Sequence, residues 1–108
     1  MEDNRTYKGP KHWRLPSDAK HFRQTDVFDK VPPSMQFMHH TRGTLWALLH
    51  CVQGRLAYVV FEAQQLGVDT DEMYILNAGE SAIIYPQSYH KLNAEVADTK
   101  FCLEFFMQ

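Results

Sequence analysis

Six histidines carry most of the chemical potential of this 108-residue chain, and three of them are spaced so that they could build one site. His39 and His40 stand together ahead of a long apolar run, and His90 follows fifty residues after His40, just past Pro86. Neutral imidazole is a common ligand for first-row divalent metals. Ligands so far apart in sequence converge only where a closed sheet brings separate strands together. A second reading of the same residues stays open: His39 and His40 as surface residues at a strand edge, and His90 as a hydrogen-bonded core histidine.

Two imidazoles alone hold zinc or iron weakly, because stable catalytic sites have three protein ligands plus an exchangeable water. The candidates for a third donor are His40, Glu104 and His50. On strand alternation Phe101, Leu103 and Phe105 share one face, and Cys102, Glu104 and Phe106 share the other. Glu104 is then either an inward ligand or an exposed edge carboxylate. The same alternation sets His50 against Ala47 and Leu49, which reads as a non-ligand position. Binding through these groups is expected to weaken as pH falls through about 6–6.5, where unperturbed imidazole protonates.

Other chemistry is weakly encoded. The chain has no G-x-S-x-G elbow, H-E-x-x-H zinc helix, P-loop or G-x-G-x-x-G turn, so hydrolase, kinase and nucleotide-dependent chemistry of those kinds is not expected. Tyr58, Tyr74, Tyr85 and Tyr89 could line a pocket with polar tips, although aromatic strand residues are more often core packing. Only Tyr89 is singled out, as a rim residue. Cys51 and Cys102 lack C-x-x-C spacing and lie inside apolar runs, so they read as reduced core residues.

The elements that must position these groups read as strands. Leu45–Gln53 and Arg55–Glu62 flank the Gln53-Gly54 turn and read as a hairpin. Met73–Leu76, Ser81–Tyr85, His90–Val96 and Lys100–Met107 follow, separated by turn signals at Asn77-Ala78-Gly79-Glu80 and at Pro86. Helical spacing is unconvincing; Phe61–Leu66 is the best candidate and is too short to stand alone. Up to Pro33 the chain is polar and broken by Pro10, Pro16, Pro32 and Pro33, which excludes a long helix and predicts an arm lying against the domain. The expected fold is all-β, a single closed or nearly closed antiparallel barrel.

Composition agrees with one soluble domain: 44% apolar, 13% aromatic and 22% charged residues. A formal charge of −2 gives no overall bias toward nucleic acid or membrane, and neither partner is expected. Arg5, Lys8, Lys11, Arg14, Lys20 and Arg23 gather near the N-terminus, as a basic arm or as a solvated tail. No window approaches the ~20 apolar residues of a membrane-spanning helix, and Met1-Glu2-Asp3-Asn4 does not begin a signal peptide, so a cytoplasmic location is expected.

The surroundings of His90 carry a resemblance. Gly79, Pro86, His90 and Asn93 look like the second cupin motif, in which glycine turns into a strand, proline ends it, and the histidine four residues later points into the barrel as a metal ligand. Here Ser88 stands for the motif's second glycine, the first gap is one residue longer, and Asn93 comes one position early. With Leu15-Pro16, Phe22-Arg23, Val31-Pro32, His39, Trp46, Gly54 and the Phe101–Phe106 strand added, the chain resembles the TehB/YeaR-like cupins from Leu15 to its end. The resemblance implies a jelly-roll domain over residues 15–108 preceded by a polar arm over residues 1–14. It also implies a metal-type pocket, a homodimer, and a loose association with oxyanion or nitrosative stress. The methyl transfer of full TehB belongs to a separate nucleotide-type domain and is not carried over.

Two departures weaken the ligand set: Phe37 precedes His39 where a relative presents another ligand, and Ala47 stands seven residues before Gly54 where many cupins place a glutamate. The leading expectation is a cupin holding a divalent ion, zinc or iron, at His39 and His90 with His40 or Glu104, and binding a small polar or anionic molecule. The opposing one is a metal-free binding or regulatory module.

Overall fold

The structure, a computed structural model, describes residues 6–9, 13–36, 39–40, 43–61 and 71–108, with backbone alone at 39, 40 and 71. Its elements in chain order are β1 (Lys20–Gln24), α1 (Pro33–Gln36), β2 (His39–His40), β3 (Leu45–Gln53), β4 (Arg55–Phe61), β5 (Asp71–Asn77), β6 (Ser81–Ile84), β7 (Tyr89–Ala94) and β8 (Lys100–Met107). They form two four-stranded sheets, β1-β8-β3-β6 and β2-β7-β4-β5, with every strand pair antiparallel. The all-β expectation is met. The one described helix is a single turn that opens on Pro33, where a missing N–H costs nothing.

One core lies between the sheets. Ala47, Leu49, Cys51, Ala82, Ile84, Phe101 and Leu103 face it from the first sheet, and Leu56, Tyr58, Val60, Leu76 and Leu92 from the second. Each such aliphatic side chain stabilises the fold by roughly 1.5–3 kcal/mol through burial. The Tyr58 hydroxyl crosses the layers and donates to Ile83 O at 3.1 Å, so its buried polar tip is satisfied. Burial pushes the Tyr58 phenol well above the ordinary tyrosine range.

Both central strands, β3 and β4, contain unbroken buried runs, Trp46–Leu49 and Leu56–Val60. The outer face of the first sheet is therefore not simply solvated. Trp46, Leu48 and Ile83 form a second cluster there with Tyr7, and Leu15, Tyr85 and Phe106 pack on it. The N-terminal segment that supplies Tyr7 runs beside β6: Lys8 N–H donates to Ser81 O at 3.1 Å and Ile83 N–H to Lys8 O at 2.9 Å. This added parallel bridge covers the β6 edge.

Two expectations are corrected. First, β3 and β4 are not a hairpin, since β3 pairs with β6 and β8 while β4 pairs with β5 and β7. One residue, Gly54, separates them, and two-residue loops are the shortest common hairpin connections, so the chain turns a corner between layers instead. Second, the apolar run Phe101–Met107, expected from the sequence to offer an exposed edge that a second copy would cover, is internal: β1 pairs along its free side from Lys20↔Met107 to Gln24↔Glu104. β1 escapes sequence reading because all five of its residues are exposed and a bulge between His21 and Arg23 breaks its alternation. The helical candidate Phe61–Leu66 begins in β4, and its remainder lies outside the described residues.

Candidate functional sites on two faces of the barrel

His90 sits on β7 with its ring turned inward. It is 3% exposed, and its ring lies edge-on to Tyr58 with centroids 6.0 Å apart. The turn before it sets the ring. Pro86 ends the preceding run, Gln87 adopts a positive φ of 60°, and the Ser88 hydroxyl donates to Tyr85 O at 2.7 Å. The Ser88 carbonyl then accepts from His90 Nδ1 at 3.1 Å. A carbonyl can only accept, so Nδ1 carries the proton and the neutral ring has its lone pair on Nε2. The left-handed residue of this turn is Gln87, not Ser88, so the glycine-like position of the motif falls one residue earlier than its sequence suggests.

β2 brings His39 into register with His90, and His40 into register with Tyr89. By strand alternation Tyr89, half-buried, stands on the side of β7 away from His90. Glu104 is on the outer face of the first sheet, where its register partners are Leu48 and Gln24. It does not meet His90, which faces the interior from the other sheet. Among the described residues no group of three or more His, Cys, Asp or Glu is arranged to hold a metal ion. Ala47, 1% exposed, packs in the core where the cupin resemblance puts a glutamate.

What Glu104 does meet is His50. His50 Nε2 lies 2.6 Å from Glu104 Oε1, and His50 Nδ1 lies 2.6 Å from Ser81 Oγ. His21 Nε2 approaches the other carboxylate oxygen at 3.4 Å. Cys102 is the register partner of His50 on β8. Burial raises the thiol of Cys102, and the Glu104 carboxylate raises it further. Cys51, facing the core, is raised mainly by burial. Both cysteines are free.

The strand face of His50 was legible, while alternation grouped Glu104 with Cys102 and Phe106 but left open whether that face turns inward. Their meeting was not, because it depends on the antiparallel register of β3 with β8, which local sequence does not encode. Ser81 gave no signal beyond its place after a glycine turn.

The sequence profile described as the TehB-like domain matches residues 23–103. The chain is 26% identical over 99 residues to the uncharacterized protein YeaR of Escherichia coli (strain K12), covering 87% of this chain and 82% of YeaR. Its fold is similar to that of a structural-genomics target protein from E. coli (strain K12), with a TM-score of 0.77 and 23% identity over 87% of this chain and 95% of that one. It is also similar to TehB from Haemophilus influenzae, with a TM-score of 0.70 and 20% identity over 85% of this chain. The chain spans only 32% of that TehB structure. Since the family profile covers most of the two-sheet domain from β1 to β8, this chain belongs to the TehB-like domain family, in a small all-β fold of two four-stranded antiparallel sheets.

Proposed function

We propose that this protein binds a divalent metal ion, zinc or iron, at His90 and His39, and that a small polar or anionic molecule is its ligand. The observation that carries this reading is the state of His90. Its Nδ1–H is committed to Ser88 O, which leaves the lone pair on Nε2, and His39 stands at its register position on β2. A hydrogen bond from the second ring nitrogen is the usual way a metal-ligating histidine is oriented. A bound ion there would supply Lewis-acid polarisation, or redox chemistry in the case of iron. The chain's own contribution is a buried ring held by the carbonyl of Ser88, itself buried, against Tyr58. The association with oxyanion stress comes with the family resemblance and concerns the class of ligand alone.

Elemental analysis of protein purified without an affinity metal column tests this reading. About one equivalent of zinc or iron per chain is expected, lost in His90→Ala protein that keeps its β-type circular dichroism. Stoichiometric metal retained by the variant would overturn it.

One observation favours a second reading, a metal-free binding or regulatory module: Ala47 fills the core where a glutamate ligand would stand, and Glu104 faces outward. Wild-type protein that takes up no metal on titration selects this alternative. A homodimer, which the cupin resemblance implies, would not pair through β8, which is internal; one built by strand pairing would use an edge such as β1 or β5.

A further inference from the structure

The outer face of the first sheet holds a second constellation, independent of His90. Ser81 Oγ, the His50 ring and the Glu104 carboxylate form one hydrogen-bonded line, with both links at 2.6 Å. Each member comes from a different strand of the same sheet, and register sets Ser81 opposite His50 and Cys102 opposite His50 on the other side. The groups are partly accessible, with His50 and Glu104 side chains 22% and 25% exposed. Ser81 also lines a cavity of about 310 Å³ together with Thr6, Tyr7, Lys8, Gly79 and Glu80. A serine hydroxyl, an imidazole and a carboxylate in this order, with the serine at a cavity wall, are the parts of a nucleophile, its base and the group that orients the base.

We propose that Ser81, His50 and Glu104 form an acyl-transfer triad that accepts the acyl group of a small activated ester entering this cavity. With a carboxylate that can only accept and a neutral ring, the proton positions follow. The Ser81 hydroxyl donates to His50 Nδ1, and His50 Nε2–H donates to Glu104 Oε1. The two ring nitrogens are exchanged relative to serine proteases, in which Nε2 faces the serine. Ser81 Oγ attacks the ester carbonyl carbon and its proton passes to His50 Nδ1, while the carbonyl π pair moves onto oxygen. The imidazolium is held by Glu104, whose second oxygen His21 approaches. Collapse of the tetrahedral adduct breaks the bond to the alkoxy oxygen, which takes the proton from Nδ1 and leaves as the alcohol. Water then attacks the acyl-serine, gives its proton to Nδ1 and releases the carboxylic acid as Ser81 Oγ regains a proton.

Lys8 is the cation among the lining residues, with its ammonium 2.7 Å from Ile75 O and 3.1 Å from a Glu80 oxygen. An ammonium has three N–H donors, so Lys8 favours negative charge developing in this cavity. The Glu80 carboxyl is itself held low by the Asn77 backbone N–H and by Lys8. A positioned base contributes about 10²–10⁴-fold, and a dedicated oxyanion donor about 10²–10³-fold more. Lys8 is a point charge on a flexible stem rather than a preorganised donor pair, so the triad should act slowly and chiefly on activated esters.

The test uses the full chain with p-nitrophenyl acetate. A burst of nitrophenolate is expected, with one acetyl group located on Ser81 by peptide mapping of the wild-type protein. Ser81→Ala should remove the burst, and His50→Gln should slow it by about 10²-fold. Both variants are checked for native circular dichroism, and the mapping on wild type decides the matter even where a variant misfolds. Acetyl groups found on Lys8 or other amines but not on Ser81, or a burst that survives Ser81→Ala, would overturn the proposal. Prior dialysis of the protein against a chelator should leave the burst unchanged, which separates this site from the metal reading.

Discussion

Gly54 and Thr99 are packed so closely that a Cβ added to Gly54 would stand 2.7 Å from Thr99 Oγ1 and 2.8 Å from Thr99 Cα. The threonine is held from several sides, its single hydroxyl proton shared between Arg55 O at 3.0 Å and Val96 O at 2.8 Å while its oxygen accepts from Arg55 N–H at 3.2 Å. This contact fixes the corner at which the chain leaves β3 for the second sheet. Gly54 also has a φ of 78°, which side-chain-bearing residues adopt at a cost. Gly54→Ala should therefore destabilise the protein by about 2–4 kcal/mol, combining left-handed strain with overpacking against a backbone atom. Urea unfolding followed by tryptophan fluorescence would measure it, and a loss under about 0.5 kcal/mol, the range of neutral surface changes, would contradict the account.

Gln87 presents the opposite case. It holds a φ of 60° in the turn that aims His90, and it is exposed. A left-handed conformation costs a non-glycine residue about 1–2 kcal/mol, partly offset by the greater entropy glycine loses on folding. Gln87→Gly is expected to stabilise the chain by about 0.5–1 kcal/mol, read as a raised urea midpoint with an unchanged slope. A lowered midpoint would show that the glutamine side chain contributes something the backbone does not require.

Those two positions also mark how far sequence reading reaches. Strand existence was legible wherever apolar residues ran unbroken, and β3 and β8 were bounded to the residue, because buried strands carry their signal in their own side chains. The partners of those strands were not legible. Gly54 read as a hairpin turn since glycine in a short loop suits both a hairpin and a corner, and only the competition of β6 and β8 for β3 decides between them. β1 left no trace, because an edge strand with every residue in water has no hydrophobic alternation to show. At the candidate sites, local geometry was partly visible: Pro86 and His90 at motif spacing, and opposed faces for His50 and Leu49. The link from His50 to Glu104 rests on long-range register, which is why Glu104 was first weighed as a companion of His90.

The two cysteines differ in the face they occupy but share one predicted behaviour. Burial is the main cause that raises each thiol above its ordinary value of 9.0. The folded state therefore favours the neutral thiol, and it binds protons that the unfolded chain has already released once pH passes that value. Stability is unaffected below about 9 and is lost as pH rises beyond it, because the unfolded state then binds fewer protons. Thiolate is the reactive form, so an aromatic disulfide reagent at pH 8 should modify neither residue quickly in native protein and both at once in urea. Rapid titration of one thiol without denaturant would identify an opening of the outer face at Cys102.

Metal content should depend on strand face rather than on the number of histidines. His90 is turned into the barrel with its Nδ1–H on Ser88 O, whereas His50 lies on the outer face of the other sheet between Ser81 and Glu104. Removing His90 deletes a ligand, while removing His50 deletes only the bridge between a hydroxyl and a carboxylate. His90→Ala should accordingly lose bound zinc or iron. His50→Ala should keep it while losing about 1–3 kcal/mol of stability, the cost of a partly buried charged-group hydrogen bond. Glu104→Gln should likewise keep the metal, since Glu104 never approaches His90. Atomic absorption on the three variants at equal protein concentration is the measurement. Loss of metal on His50→Ala or Glu104→Gln, with His90→Ala unaffected, would move the ion to the outer face and remove His90 from its ligand set.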